Sequence, residues 1–518
     1  MNPMFDKIQI LVPEIVVIGT AFVVMILGLS RNRAVRRGTF FLSAASLLSA
    51  ALIVIYHDRL GLPAIPGVAV YLKLAILAVG FLLLLAAAEV PDESHADIEQ
   101  PGIFDPSIVA RGEFFGFFLL SLAGAMLTVT ADDLIWLFLA LELTSLPTYV
   151  MVATARDRIQ APEAGVKYFF LGAFAAAIFL YGFTLLYGAT GTTAFTQLGS
   201  HELVGINLVI HQQGLGSLGM IGLLLAITGL CFKIAAVPMH AYAADVYQGA
   251  ATPVTAFLAF VPKTAGFAAL IAVVGFIGWP LNASHNGHAI YMLLWVLAVA
   301  TMYVGNTLAL RQSNVKRVLA YSSIAHSGYM LVGLVAGPVV VATTGDFSGG
   351  GIAAVLFYLV CYGIMNLGAF AVLGILRSRG EDAETYGDLR GLAQRHPALA
   401  TVMAVCCLSL AGIPPILGFW GKLYLVGAAI SVGEIWLVIL MVMASAIGAV
   451  YYLRIIAACF LPEPTGDLAA ADRPWRATAA LASAVLIVAL SFSAGWLVKY
   501  AHQAADIRAT VASHVAAK

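Results

Sequence analysis

Long apolar runs are the feature of this sequence that most restricts its fold. Runs of about 20 residues with few charges recur along most of the chain, which is the length a helix needs to cross a bilayer. Only 10% of the 518 residues are charged and 61% are hydrophobic, whereas soluble domains have roughly 25% charged residues. Because backbone groups in lipid must be hydrogen-bonded within the segment, we predict an all-α integral membrane protein.

Fourteen transmembrane helices are predicted from these runs. The seventh and twelfth are longer than one span requires and contain proline, which removes a backbone donor and clashes with the preceding turn. We therefore expect these two helices to be broken within the membrane, at Pro238 and at Pro414 and Pro415. The expected spans are 11–29, 39–57, 68–88, 112–130, 133–153, 162–187, 217–247, 254–277, 289–309, 318–337, 350–376, 397–430, 435–460 and 477–498.

Basic residues are confined to alternate predicted loops. Loops 188–216, 278–288 and 338–349 contain no lysine or arginine. Basic loops stay in the cytoplasm, so both termini are predicted to be periplasmic, in a bacterial inner membrane. The acidic loop 89–105 departs from the alternation and is interpreted as a solvated segment. The basic loops carry Arg31, Arg33, Arg36 and Arg37; Arg111; Arg156 and Arg158; Arg311, Lys316 and Arg317; Arg377, Arg379, Arg390 and Arg395; and Arg473 and Arg476.

The two proline breaks suggest an internal repeat. Pro238 and Pro414 lie 176 residues apart, each in a helix with one lysine. Spans 4–8 and 9–13 would then form two five-helix units, and an odd number of helices makes the repeat inverted, as in many transporters. The expected organisation is an N-terminal three-helix segment (1–111), a first repeat (112–277), a second repeat (289–460), and a C-terminal helix and tail (461–518).

Three lysines, Lys233, Lys263 and Lys422, are predicted to lie deep in the membrane. A charge at the bilayer centre costs about 2.5–3.5 kcal/mol on insertion scales, so each needs a function or a partner. Glu142 is the one acidic residue expected in mid-span, and it precedes Pro147 by five residues. Pairing Glu142 with one of the lysines would lower this cost. The alternative is a static ion pair, but the excess of lysines beside helix breaks favours a proton or cation path.

Three other basic residues in the spans have a structural interpretation. Lys73 and Arg454 lie near helix ends, where their side chains are expected to reach the membrane surface. Lys167 follows Glu163 by four residues, a spacing that suits an ion pair on one helix face.

Two histidines are expected at membrane depth. His240, two residues after Pro238, is a candidate proton relay, while His326 is interpreted as a packing residue. A haem between helices would need a fitted pocket, to which no other feature points. The cysteines contain no C-x-x-C pair, which argues against iron–sulfur, zinc and disulfide sites, so no cofactor or metal is expected in this chain. They are Cys231, Cys361, Cys406, Cys407 and Cys459.

Five motifs between Gly112 and Phe460 together resemble the antiporter-like membrane subunits of respiratory complex I, the NADH-quinone oxidoreductase. In order they are LELTSLPTYVMVA, EAGVKYFFLGAF, FKIAAVPMHAYAADVYQGAATPVTAFLA, RQSNVKRVLAYSSIAHSGYMLVG and AGIPPILGFWGKLYLV. The resemblance implies a fourteen-helix proton-translocating subunit. Other membrane subunits would be its partners, and FMN, iron–sulfur clusters and quinone would bind to partner subunits.

The resemblance also implies roles for four residues. Glu142 and Lys233 would form the coupled pair, Lys263 the central relay and Lys422 the outlet half of the path. The main alternative is a cation/proton antiporter of the Mrp type, without redox partners. Sodium sites require several hard oxygen ligands, and a single expected mid-membrane carboxylate favours protons. A purely structural scaffold would not require three buried lysines.

Overall fold

The computed structural model describes residues 8–30, 32–59, 67–90, 110–156, 158–195, 197–198, 203–278, 285–338, 350–378, 381–461 and 468–505. This part of the chain is mostly helical, which confirms the all-α membrane class. The first six helices are Val12–Gly28 (α1), Arg33–Arg59 (α2), Gly67–Ala87 (α3), Ala110–Val129 (α4), Leu134–Thr154 (α5) and Gln160–Thr190 (α6). Asp133 caps α5, since its carboxylate accepts from the Trp136 amide in the first turn of the helix.

The broken seventh span is present as two helices. Ser217–Lys233 (α8) precedes the break and Ala243–Gly249 (α9) follows it. The short helix Ile206–Gln213 (α7) lies before them, and Thr252–Gly275 (α10), His285–Leu310 (α11), Val315–Ala336 (α12) and Gly351–Ile375 (α13) come after.

The twelfth span is also divided. Pro397–Ala411 (α15) ends before the prolines and Leu417–Ser431 (α16) resumes after them. The remaining helices are Leu392–Arg395 (α14), Ile435–Phe460 (α17), Pro474–Phe492 (α18) and Ala494–Ala505 (α19).

Short antiparallel strands join some loops within the described ranges. Gln197–Leu198 (β1) pairs with Leu203–Val204 (β2). Leu376–Ser378 (β3) pairs on one side with Glu381–Asp382 (β4) and on the other with Leu468–Ala470 (β5). The β3–β4 hairpin lies at the end of the bundle that carries the basic loops.

Ten helices in the described part are long and apolar enough to cross a membrane: α2, α3, α5, α6, α10, α11, α12, α13, α17 and α18. Five shorter apolar helices, α1, α4, α8, α15 and α16, accompany them. Each predicted span overlaps one of these helices or a broken pair. The total of fourteen, the domain boundaries and the inverted repeat remain predictions.

Helices α10, α12 and α13 form the centre of the bundle. They pack against one another, and their faces are almost wholly buried, whereas α6, α17 and α18 expose much of their apolar surface. A helix that is buried on all sides has apolar residues around its whole circumference. Polar groups on the three central helices are therefore enclosed by protein and separated from lipid.

The expectation for Lys73 is wrong. Its ammonium does not reach the membrane surface but pairs with Glu14 of α1 at 2.7 Å, and both side chains are 1% exposed. The Lys73 ammonium also donates to the Ile10 carbonyl. Glu14 is thus a second buried carboxylate in the apolar helices, so Glu142 is not alone. The Lys167–Glu163 pair is confirmed, at 2.7 Å.

Most of the acidic loop 89–105 lies outside the described residues. Its first residue, Glu89, is buried and accepts from the Trp475 amide at the start of α18. Burial raises the pKa of the Glu89 carboxyl above its ordinary value. The positive charge of nearby Arg476 partly offsets this rise in pKa. At this one residue the solvated interpretation is wrong, because the carboxylate caps a helix N-terminus.

Candidate functional site

The break between α8 and α9 is held open by side chains around it. Ala235 adopts a left-handed conformation with φ of 53°, which costs an alanine about 1–2 kcal/mol and ends the helix. The Tyr242 hydroxyl donates to the Phe232 carbonyl at 2.9 Å. The Ser327 hydroxyl donates to the Ile234 carbonyl at 2.5 Å. Backbone groups released by the break are therefore satisfied within the protein.

Lys233 is the last residue of α8 and forms an ion pair with Glu142 of α5. Its Nζ lies 3.0 Å from Glu142 Oε1 and 2.6 Å from Ser145 Oγ. The Lys233 side chain is 2% exposed and that of Glu142 is 18% exposed. The ammonium also lies at the negative end of the α8 dipole, which favours a cation. The predicted pairing of Glu142 with a buried lysine is thus present, and Lys233 is the partner.

Lys263 lies in the middle of α10, in the centre of the bundle. Its Nζ donates to the backbone carbonyl of Ser323 at 2.5 Å and to the hydroxyl of the same residue at 2.7 Å. The ring of Tyr362 lies 4.9 Å from the ammonium. No carboxylate forms an ion pair with Lys263 among the described residues. The side chain is therefore solvated by neutral dipoles and an aromatic face.

Glycines as well as prolines interrupt the helix at the second break, between α15 and α16. Gly412 has φ of 82° and closes α15 in the left-handed conformation that glycine adopts without cost. At Gly418 a Cβ atom would lie 1.8 Å from the Ser409 carbonyl oxygen. Only glycine fits at this position, because the start of α16 packs directly on the end of α15.

Lys422, in the second turn of α16, bridges the break. Its Nζ donates to the Ala411 carbonyl at 2.8 Å and to Ser445 Oγ of α17 at 2.7 Å. The last carbonyls of a helix have no partner within it, so Lys422 satisfies one of them. The ring of Tyr329 lies 5.0 Å from the ammonium.

The three lysines share one pattern of solvation. Each ammonium has a serine hydroxyl, a backbone carbonyl and an aromatic ring around it. For Lys233 these are Ser145, the Leu141 carbonyl and Phe179. The serines lie on other helices, between 23 and 88 residues away in sequence. These serines could not be identified from the sequence, because no local pattern links a serine to a lysine on another helix.

His326 lies between Lys263 and Lys422. It bonds to the hydroxyls of Tyr358 at 2.7 Å and Tyr452 at 2.9 Å. Its ring lies 5.0 Å from that of Tyr362, which contacts Lys263, and 5.5 Å from that of Tyr329, which contacts Lys422. The histidine is fully hydrogen-bonded, as the packing interpretation expects. It also occupies the interval that joins two of the lysines, which the sequence did not indicate.

His240 lies apart from these groups. It is partly exposed in the break after Pro238, and the structure gives it no hydrogen bond to Lys233 or Lys263 among the described side chains. Its relay role remains a prediction.

Groups of histidine, cysteine and acidic residues that could hold a metal are absent from the described residues. All five cysteines are free and buried in apolar surroundings. The site is therefore built from ammonium, carboxylate, imidazole and hydroxyl groups.

A helical membrane bundle with a line of buried bases beside two broken helices is the architecture of an ion-translocating membrane protein. The comparisons agree. Residues 131–448 match the family described as NADH:quinone oxidoreductase/Mrp antiporter, transmembrane, and the chain belongs to this family. The protein from Trichlorobacter lovleyi named NADH-quinone oxidoreductase subunit N is 45% identical over 67% of each chain. The one of the same name from Paramagnetospirillum magneticum is 37% identical over 94% of each chain.

A solved structure extends the likeness to three dimensions. A chain of respiratory complex I from Thermus thermophilus with bound aureothin has a TM-score of 0.72 and 31% identity, over 94% of this chain and 98% of that one. The Mrp complex from Dietzia sp. shares the fold, with a TM-score of 0.76 and 20% identity over 98% and 97% of the two chains. The predicted resemblance to complex I membrane subunits is confirmed, and the named relatives are its subunit N.

Proposed function

We propose that this chain is a proton-translocating membrane subunit of an NADH:quinone oxidoreductase. NADH oxidation and quinone reduction take place in other subunits, which carry FMN, iron–sulfur clusters and bound quinone. This chain contributes buried bases through which protons cross the membrane. The relatives named NADH-quinone oxidoreductase subunit N, at 37–45% identity, support the assignment to this assembly.

One observation carries the proposal. The Glu142–Lys233 pair, Lys263, His326 and Lys422 lie on helices that pack against α10 or α12, and each ammonium is bound by a hydroxyl rather than enclosed by hydrocarbon. Hydroxyl and imidazole groups both donate and accept protons. A buried base with such neighbours has a route by which its proton leaves, whereas a base enclosed by hydrocarbon does not.

The path begins at Lys233 and Lys263, continues through His326 and leaves through Lys422. Glu142 sets the proton affinity of Lys233, since a carboxylate about 4 Å away at an effective dielectric of about 20 contributes about 4 kcal/mol. When the carboxylate moves away, the Lys233 proton is released. His240 is a candidate relay at the first break, on the strength of its position after Pro238.

The basic loops support an orientation in the bacterial inner membrane. Arg156, Arg317, Arg377 and Arg473 lie at ends of helices that the alternation assigns to the cytoplasm. Both termini then face the periplasm. The partners are other membrane subunits of the complex and the lipid bilayer.

The test is Lys233→Ala in the assembled complex, with proton translocation measured per NADH oxidised. We expect the ratio of protons to electrons to fall while the complex remains assembled. Lys167→Gln, which alters an exposed lysine, is the matched control. Translocation at the unaltered ratio in Lys233→Ala would contradict the proposal.

The alternative function, an Mrp-type antiporter, is distinguished from the oxidoreductase by the cofactors that co-purify with the chain. Flavin and iron–sulfur absorbance in the purified assembly supports the oxidoreductase. Sodium-driven pH change in vesicles without those cofactors would support the antiporter.

A further inference from the structure

A charged network lies where the two predicted five-helix units would meet, at the end of the bundle that carries the basic loops (the basic face). Glu384, which follows β4, is its centre. Its Oε1 lies 3.2 Å from Arg156, in the α5–α6 loop, and 3.4 Å from Lys316, at the start of α12. Its Oε2 accepts from the Asn314 amide at 2.9 Å. Asp382 of β4 pairs with Arg156 at 2.5 Å.

Lys316 is the unexpected member of this network. It is predicted to lie in a basic cytoplasmic loop, but its side chain is 1% exposed. Its Nζ donates to the Ala250 carbonyl at 2.8 Å and to the Gln248 carbonyl at 3.3 Å. Lys316 and Glu384 thus combine a buried ammonium with a carboxylate that reaches the surface, as Lys233 and Glu142 do. Glu384 is 17% exposed, so protons from water have access to it.

The carbonyls that bind Lys316 belong to the segment between the first break and Lys263. Gln248 is in α9 and Ala250 follows it, and α10, which carries Lys263, begins at Thr252. Arg317 binds the same segment through the Asp245 carboxylate, at 2.6 Å. The first turn of α12 therefore fixes α9 against the central helices.

One face of α12 leads from Lys316 to Lys263. Ser323, which binds the Lys263 ammonium, is seven residues after Lys316, or two helical turns and about 10 Å along the same face. Tyr247 of α9 adjoins the carbonyls that bind Lys316, and its hydroxyl lies beside that of Ser323. Tyr247 and Ser323 thus line the interval with groups that donate and accept protons.

From this arrangement we propose that Glu384 and Lys316 form the proton-loading site of Lys263, with Tyr247 and Ser323 as the connection. The inference rests on the proposed function and adds to it the point at which protons enter. The neutral Lys263 amine takes a proton along the Tyr247 and Ser323 hydroxyls from the Lys316 ammonium. The Lys316 amine is then reprotonated by the Glu384 carboxyl, which takes a proton from water. One proton moves from water to Lys263, and both loading groups regain their charges.

The experiment compares Glu384→Gln with Glu381→Gln in the assembled complex. Glu381 is on the same hairpin, is 73% exposed and contacts Arg158 at 3.6 Å, so its variant is the matched control. We expect Glu384→Gln to slow proton translocation roughly a hundredfold, the lower end of what a positioned proton donor contributes, while Glu381→Gln leaves it unchanged. Sodium azide, whose conjugate acid is small enough to deliver protons to a buried base, should restore most of the rate in Glu384→Gln. Tyr247→Phe, which keeps the ring, should slow translocation without rescue.

A purely structural network gives a different result. Glu384→Gln would then lower the rate through misplacement of α9, and azide would not restore it, which would overturn the inference. An unaltered rate in Glu384→Gln would also overturn it. Lys263→Ala, measured in parallel, separates this failure from that of the proposed function. If Lys263→Ala loses translocation and Glu384→Gln does not, only the loading site is wrong, whereas full translocation in Lys263→Ala contradicts the proposed function itself.

Discussion

The Glu14–Lys73 and Glu142–Lys233 pairs join the same two chemical groups in different surroundings. Glu14 and Lys73 lie 2.7 Å apart, both 1% exposed, between the continuous helices α1 and α3. Glu142 and Lys233 lie 3.0 Å apart, but α8 ends at the lysine, Pro147 follows the glutamate in α5, and the carboxylate is 18% exposed.

The different surroundings hold the Glu14–Lys73 pair together and allow the Glu142–Lys233 pair to open. A carboxylate that leaves its partner inside dry protein keeps no solvation, so the Glu14–Lys73 pair is held together. Glu142 reaches the surface of the bundle, and Lys233 keeps the Ser145 hydroxyl and the Leu141 carbonyl when the carboxylate moves. An ion pair in a membrane helix is therefore not by itself a sign of transport. The neighbours that remain when the pair opens decide its role.

Lys73→Met should have the largest effect on stability. It leaves Glu14 as an unpaired buried group, and breaking such a pair costs about 3–5 kcal/mol. We expect less assembled complex in the membrane and a lower melting temperature. Glu14→Leu combined with Lys73→Met removes both charges and should recover most of the stability. If the stable double variant lost proton translocation, the view of this pair as fixed would be wrong.

Glu142→Gln should leave the complex assembled and reduce translocation. The interaction that it removes is worth about 4 kcal/mol at an effective dielectric of about 20, so a loss of at least tenfold is expected, since 1.36 kcal/mol is a factor of ten in rate. Translocation by inverted vesicles during NADH oxidation is the measurement, with Glu142→Asp expected to retain part of the rate. Loss of assembly in place of loss of rate would make the two pairs equivalent.

Ser145→Ala tests the neighbour that stays with Lys233 when the pair opens. A hydrogen bond to a charged group contributes about 1.5–3 kcal/mol, and part of this remains through the Leu141 carbonyl. We expect a few-fold slower translocation and unaltered assembly. Thr154→Ala, on the same helix and bonded to the Val150 carbonyl, is the control. Equal rates in the two variants would show that the hydroxyl does not assist the separation.

Lys167→Gln should have the smallest effect. Lys167 and Glu163 are 2.7 Å apart on one helix, with side chains 45% and 60% exposed. Exposed pairs contribute little, because water and salt screen them. Melting temperature and translocation should both match the unaltered complex. A clear loss in either would mean that exposure does not rank the Glu14–Lys73, Glu142–Lys233 and Glu163–Lys167 pairs.

The helices and their breaks could be predicted from local properties, with limits set by tertiary contacts. Apolar length places the spans, and Pro238 and Pro414 mark the breaks. Yet α8 ends at Lys233, five residues before Pro238, because Ala235 takes a left-handed conformation that Tyr242 and Ser327 support. Such support comes from residues far along the chain and leaves no periodic signal.

Only part of the candidate site could be predicted from the sequence, for the same reason. Lys233, Lys263 and Lys422 could be found because a charge within an apolar run is conspicuous. Glu14 was overlooked, since it lies near a helix end in the sequence and its partner is 59 residues further on. Lys316 is predicted to lie in a basic cytoplasmic loop, whereas packing between α9 and α12 buries its side chain. Burial of a helix end depends on which helices meet there, and composition does not record it.

The side chains that hold the first break limit how the protein moves. Tyr242, Thr301 and Ser327 already bind the backbone groups that a continuous helix would need for its own ladder. Rejoining α8 and α9 would require all three bonds to be lost together. The main chain is thus a stationary frame, and the travel of each proton is left to swinging side chains and reorienting hydroxyl groups.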